Sequence, residues 1–271
     1  MDSIQSFLLG LIQGLTEFLP ISSSGHLALG RYILGGNTEA GITFEVVVHF
    51  GTLCSILIYY WKDLMRLAGA GFGFLKAPAQ KKNDKDVKVI LFILVSMIPA
   101  LIVGFTLKDY VEEIFMDPLL VSGMLIVTGF ILFMTRFAKD PQGEVSLGKS
   151  LLIGIAQSFA MIPGISRSGS TISTALYLGI KREEAANFSF LMVIPVIGGA
   201  MLLQIKEMME IGVSDAQLGS LLIGFFTSFI SGYFALKYLI IILKKKGFHY
   251  FAYYCWVVGA IGLTYFLMNG V

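Results

Sequence analysis

The chain has 271 residues, of which 56% are hydrophobic and only 14% charged, and its mean hydropathy is +0.79. Soluble domains carry about 25% charged residues, so the deficit excludes an ordinary soluble enzyme and points to a membrane protein. A net charge of +2 offers no basic surface for nucleic acid. Cys54 and Cys255 lie in apolar runs, as small buried side chains rather than a disulfide framework, and three histidines without a CxxC give no zinc signature.

The start, Met-Asp, has neither the basic region nor the small-residue cleavage site of a removable signal peptide. Residues 4–19 are apolar but include Gln5, Gln13 and Glu17, and the run is shorter than the ~20 residues that span a bilayer. Pro20 ends it; a second short segment follows from Ser22 to Leu34, and Gly35-Gly36-Asn37 makes a turn. Two short helices meeting at a Pro/Ser/Gly break predict a re-entrant hairpin, which survives at membrane depth only where protein or a water-filled cavity covers it. Full spans are expected at 44–61, 89–107 (kinked at Pro99) and 119–137. The stretch 62–88, with seven Lys and Arg, is expected as a cytoplasmic hydrophilic loop, and 108–117, with four acids and one Lys, as an outside one. The second half repeats the order: a broken hairpin at 148–163 and 166–178, then spans at 185–205 (broken by Pro195 and Gly198-Gly199), 218–243 and 251–268, with Lys244 to Lys246 as an inside anchor.

The two hairpins align without a gap at an offset of 144 residues. Gly10/Gly154, Gln13/Gln157, Ile21/Ile165, Ser22/Ser166, Ser24/Ser168 and Gly25/Gly169 are identical pairs, and Leu34/Leu178, Gly35/Gly179, Glu39/Glu183 and Phe44/Phe188 continue them. An internal duplication follows, with 1–138 and 148–271 as its copies. One hairpin plus three crossings per copy turns the second copy upside down. The expected architecture is therefore an all-α integral membrane protein, an inverted-topology repeat of six transmembrane helices plus two re-entrant broken-helix hairpins, with a site near the midplane between the repeats.

Each helix that starts after a break presents free N–H groups and the positive end of its dipole, which attract anions. Ser22, Ser23, Ser24 and Gly25 line one break; Ser166, Ser168, Gly169, Ser170 and Thr171 line the other, and Arg167 adds a planar fork suited to phosphate. Two facing cradles suit a diphosphate. Glu17 beside phosphates requires a cation between them, and a hard divalent ion bound by a carboxylate plus substrate phosphates fits, Mg²⁺ or Ca²⁺. Gln13, one turn before Glu17, can orient a ligand, and His26 can serve as nucleophile or general acid/base. The pattern points to phosphoryl transfer, with Arg and metal stabilising charge. Glu45 and His49, four apart, share a helical face, and either they pair with each other or Glu45 supports the site; Gln157 is read as structural, and Arg31 as a side chain snorkelling to the interface.

The stretches G-L-T-E-F-L-P-I-S-S-S-G-H and P-G-I-S-R-S-G-S-T resemble the two signature motifs of the bacterial undecaprenyl-diphosphate phosphatase family, also called bacitracin-resistance proteins, and the resemblance covers essentially the whole chain. It implies a multi-pass enzyme of the bacterial plasma membrane that removes the terminal phosphate from the C55 isoprenoid diphosphate, recycling the cell-wall lipid carrier and conferring bacitracin tolerance. The family's Glu or Gln four residues before a Glu falls on Gln13 and Glu17, its first-motif Ser and His on Ser23 and His26, and its Arg on Arg167. His26 and Ser23 are both candidate nucleophiles, and His26 is favoured because an imidazole needs no separate base. The alternative is an inverted-repeat transporter or flippase for a phosphorylated lipid or small anion, set against which Glu17 and His26 occur in one copy only. The expected partners are the isoprenoid diphosphate and membrane lipids; the oligomeric state, a homodimer included, stays open.

Overall fold

The computed structural model describes residues 3–34, 38–81, 83–107, 110, 117–138, 142–211 and 215–269, with the side chains of 31, 33, 34, 38–42, 200, 202–211 and 215–217 outside the description. Among the described residues the chain is all helical, with no strand and one isolated bridge between Gly143 and Ile180. The first hairpin is α1 (Ser3–Phe18) and α2 (Ser23–Leu34), followed by α3 (Thr38–Tyr59), α4 (Trp61–Lys76), a single turn α5 (Pro78–Lys81), α6 (Lys85–Thr106) and α7 (Pro118–Met134). The second is α8 (Leu147–Phe159) and α9 (Arg167–Tyr177), followed by α10 (Arg182–Ile211), α11 (Asp215–Lys244) and α12 (Phe251–Asn269).

The helix starts follow from local chemistry. Asp117 caps α7, its carboxylate accepting the Leu120 N–H at 2.9 Å, while Pro118 fills the first position, where no N–H is needed. Asp84 caps α6 by accepting the Asp86 N–H at 2.9 Å, a bond that holds its carboxyl below the usual carboxylate range. Ser166 caps α9 through the Gly169 N–H.

Among the described residues four stretches are long and apolar enough to cross a membrane: Lys85–Thr106, Pro118–Phe137, Leu218–Lys244 and Phe248–Asn269. They coincide with the expected second, third, fifth and sixth spans. A fifth exists if α3 and α4, which meet at 74°, count as one broken span. The expected loop over 62–88 is corrected here: α4 and α5 are helical. Gly69, Gly71 and Gly73 and the charges at 62, 63 and 66 conceal a stripe in which Leu67 is buried and Leu64 packs on the core, while Arg66 pairs with Asp63 (2.9 Å) and Asp86 (3.5 Å). At the corner Tyr60, 2% exposed, donates to Asn187 Oδ1 at 3.0 Å and ties the bend to α10. The expected break at Pro195 is also absent, since α10 runs unbroken through it. In an apolar surround each further backbone bond lost has no water to replace it, so a helix bends at proline rather than ending. The expected outside loop at 108–117 and the turn at 35–37 lie largely outside the described residues.

The packing is interleaved. The first helix of each hairpin lies against a long helix of the other half: α1 on α11, and α8 on α6; α7 and α12, one from each half, pair with each other. The identical glycines Gly10 and Gly154 make these approaches close. A Cβ on Gly10 would lie 2.7 Å from Gly224 O, and one on Gly154 would collide with Ser96 O. Leu94, Ile98, Ile102 and Phe105 on α6, like Phe226, Ile230 and Phe234 on α11, point outward, an apolar exterior suited to lipid.

Candidate active site

The two breaks are built alike and touch. Gly25 N–H donates to Ser22 Oγ (3.2 Å) and Gly169 N–H to Ser166 Oγ (3.0 Å); His26 N–H donates to Ser22 O (3.2 Å) and Ser170 N–H to Ser166 O (2.8 Å). The hydroxyl pairs repeat too, Ser22 with Ser24 at 3.3 Å and Ser166 with Ser168 at 3.4 Å. A Cβ on Gly25 would meet Gly164 Cα at 3.1 Å, and one on Gly169 would meet Pro20 O at 3.3 Å, so each cradle abuts the other's break. Both breaks are also braced from the α7 and α12 pair. Thr128 Oγ1 on α7 donates to Gly164 O (2.8 Å) and accepts from Ser166 N–H (3.0 Å), and Cys255 Sγ on α12 faces Pro20 O at 3.9 Å. The chain turns left-handed at Ser22 (φ 68°) in one break and at Gly164 (φ 90°) in the other.

Glu17, buried at the end of α1, is the meeting point. Its Oε2 accepts from Gln13 Nε2 (3.0 Å) and from Ser23 Oγ (2.6 Å), and its Oε1 accepts from the Arg167 guanidinium of the second copy. His49 Nε2 lies 3.9 Å from Oε2, its other nitrogen held by Glu45 O at 2.8 Å. Glu17, Ser23, Arg167 and His49 form the floor of a cavity of about 730 Å³, with Ser22, Ser24, Ser166 and Gln157 around them. The walls are apolar: Met97, Ala100 and Leu101 from α6, Met161 and Ile165 from the second break, and Val196 and Ile197 from α10. Phe105 belongs to the wall and is 83% exposed, so the cavity opens on the apolar exterior beside α6.

Of the expected site residues, Glu17, Ser22, Ser23, Ser24, Ser166 and Arg167 line this cavity. Gln13, Gly25, Ser168, Gly169 and Thr171 stand behind it. Ser168 Oγ bonds Leu19 O (3.3 Å) and Thr171 Oγ1 bonds Arg167 O (2.9 Å), so both shape the break. His26 does not line the cavity. Its Nδ1 bonds Ser22 O at 2.8 Å; a carbonyl only accepts, so Nδ1 carries the proton, and Nε2 accepts from Tyr254 OH at 2.9 Å, with the rings stacked 5.6 Å apart. His49 and Gln157 are cavity residues that the sequence reading left outside the site; position four after Glu45 marked the first, and identity with Gln13 marked the second.

A divalent cation was tested against the donors present. No cluster of three or more His, Cys, Asp or Glu side chains occurs among the described residues. What is present is one carboxylate, Glu17, and beside it a buried Gln13 Oε1 with no hydrogen-bond partner. Glu17, the carboxylate on the cavity lining, would suit an Mg²⁺- or Ca²⁺-like ion whose other ligands come from substrate phosphates and water, with Gln13 Oε1 behind it.

The family model of the bacitracin resistance protein BacA matches residues 6–261. The chain is similar to the undecaprenyl-diphosphatase of Salinibacter ruber, at 45% identity over 265 residues, covering 96% of this chain and 97% of the relative. It is also similar to those of Desulforapulum autotrophicum (41%, covering 97% and 98%) and Bacteroides thetaiotaomicron (43%, covering 96% and 97%). With a family match and relatives this similar over nearly its whole length, the chain belongs to the bacitracin resistance protein BacA family.

Proposed function

We propose that this protein is an undecaprenyl-diphosphatase of the bacterial plasma membrane, which hydrolyses the terminal phosphate from a C55 isoprenoid diphosphate and returns the lipid monophosphate to cell-wall synthesis. The observation that carries this reading is the meeting of Glu17, Ser23 and Arg167, drawn from segments 150 residues apart, on the polar floor of an apolar cavity open to the lipid-facing exterior. The floor suits a diphosphate and the walls an isoprenoid.

Ser23 Oγ, already donating to Glu17 Oε2, is the nucleophile favoured by this geometry, with Glu17 as its base. Ser23 attacks the terminal phosphorus and its proton passes to Glu17. The bond from phosphorus to the bridging oxygen breaks, and the lipid monophosphate leaves with the electron pair and that proton. Glu17 then takes a proton from the water that attacks the phosphoserine and returns it to Ser23 as phosphate departs. Arg167 has donors beyond the one on Glu17, and these supply positive charge to the equatorial oxygens. Glu17 would hold a divalent cation, Mg²⁺ or Ca²⁺, which would supply further charge neutralisation to the diphosphate.

The finer architecture is part of the proposal. Residues 1–138 and 148–271 form an inverted repeat with six crossings and two re-entrant hairpins, supported by the reciprocal contacts at the two breaks. The first hairpin opens to the outside and 62–88 faces inside; a membrane-impermeant label reaching 62–88 from outside intact cells would reverse that orientation.

The test is phosphate release from C55 isoprenoid diphosphate by purified protein in detergent, with and without a chelator. Wild type should turn over in Mg²⁺ or Ca²⁺, and Ser23→Ala and Arg167→Lys should each lose about 10³-fold or more while remaining folded. Absence of release from folded wild type across metals and chain lengths would sink the reading.

A further inference from the structure

Gln157 is 2% exposed, lines the cavity, and has no hydrogen-bond partner for either Nε2 or Oε1 among the described residues. An amide buried this way is costly unless something outside the chain satisfies it. The duplication explains why the chain does not. Gln13, its counterpart, donates to Glu17; at the offset of 144 residues the position of Glu17 is taken by Met161, which gives Gln157 no carboxylate to bond. The second copy keeps the amide and omits its internal partner.

We propose that Gln157 is the subsite for the phosphate that is not cleaved, the one esterified to the isoprenoid; this rests on the phosphatase reading above. Ser23, Glu17 and Arg167 are joined by direct bonds, and together they take the terminal phosphate. Gln157 lines the same cavity and makes no side-chain hydrogen bond to that cluster. It lies one turn before Ala160 and Met161, which belong to the cavity lining, on a helix packed against α6, the source of much of the apolar wall. In the substrate the esterified phosphate likewise stands between the reacting phosphate and the tail. Gln157 Nε2 offers two N–H donors to its oxygens, and Oε1 can accept from water or from the product monophosphate, whose second pKa lies at about 6. A neutral amide binds without adding a second fixed cation, so the monophosphate is held and still released.

The test is inhibition and turnover in wild type, Gln157→Leu and Gln157→Met, using a C55 isoprenyl monophosphate and inorganic phosphate as separate inhibitors. Gln157 has no side-chain hydrogen-bond partner among the described residues, so both variants should melt at or above the wild-type temperature. KM for the diphosphate should rise about 10-fold and the monophosphate should inhibit about 10-fold more weakly, one hydrogen bond to a charged group being worth that much. Inhibition by inorganic phosphate, which reports the Ser23 and Arg167 end, should change by less than about 2-fold. Equal weakening of both inhibitors, unchanged monophosphate inhibition, or failure of both variants to fold would each overturn the subsite. Wild type that neither hydrolyses the diphosphate nor is protected from unfolding by the monophosphate would instead remove the phosphatase reading itself.

Discussion

Ser22 sits in left-handed backbone, φ 68°, where a residue with a Cβ costs about 1–2 kcal/mol. Two bonds from His26, one from its backbone N–H and one from Nδ1, converge on the Ser22 carbonyl and hold that turn, and the next residue is Ser23, aimed at Glu17. In the proposed mechanism His26 would act through Ser22, as a positioning residue. His26→Ala should lose about 10²-fold in kcat, the scale of a misplaced nucleophile. His26→Asn, which keeps a donor for the carbonyl, should stay within about 10-fold of wild type with an unchanged pH–rate profile. Loss of one limb of that profile in His26→Asn would restore the acid–base role. The sequence made the break legible through Pro20 and the serine run, and made both Ser23 and His26 candidates. It could not distinguish their directions, because the partner that turns His26 aside is Tyr254, 228 residues later.

At the scale of elements, the hairpins depend on close helix contact. A Cβ on Gly14 would collide with Ser231 Oγ and lie 2.5 Å from Ser228 O on α11, and neither helix can retreat without opening the floor that α1 carries. Gly14→Ala should therefore destabilise by about 1–3 kcal/mol, read as a lower melting temperature in detergent, with activity falling in step. Gly69→Ala on α4, where a Cβ meets nothing within 4 Å, should be neutral or stabilising. Equal effects of the two would contradict the packing account. Most helix positions followed from apolar runs and the breaks between them. α4 did not, because its glycines and charges resemble a loop until Leu67 is buried and Arg66 finds Asp86 on α6, both tertiary events.

For the whole molecule, the duplication was legible as an offset of 144 residues, and with it the pairing of two cradles. The interleaving was not. No pattern within the chain says that α1 rests on α11 and α8 on α6, or that Gly25 meets Gly164 while Gly169 meets Pro20. These contacts bring Glu17 of one copy to Arg167 of the other and leave the equivalent of Glu17, Met161, as part of the apolar wall. Under the proposed inverted repeat, the floor takes its carboxylate, Glu17, from one half and its guanidinium, Arg167, from the other.

The most direct test of that claim is a double-mutant cycle across the two copies. It reads single-turnover phosphate release from C55 isoprenoid diphosphate by wild type, Glu17→Gln, Arg167→Gln and the double variant, each shown to be folded by its melt. The account predicts a loss of about 10³-fold in each single variant and a double variant within about 10-fold of the slower single, because both changes dismantle one unit. Losses that multiply, or an Arg167→Gln variant that keeps wild-type turnover, would contradict a site shared between the halves.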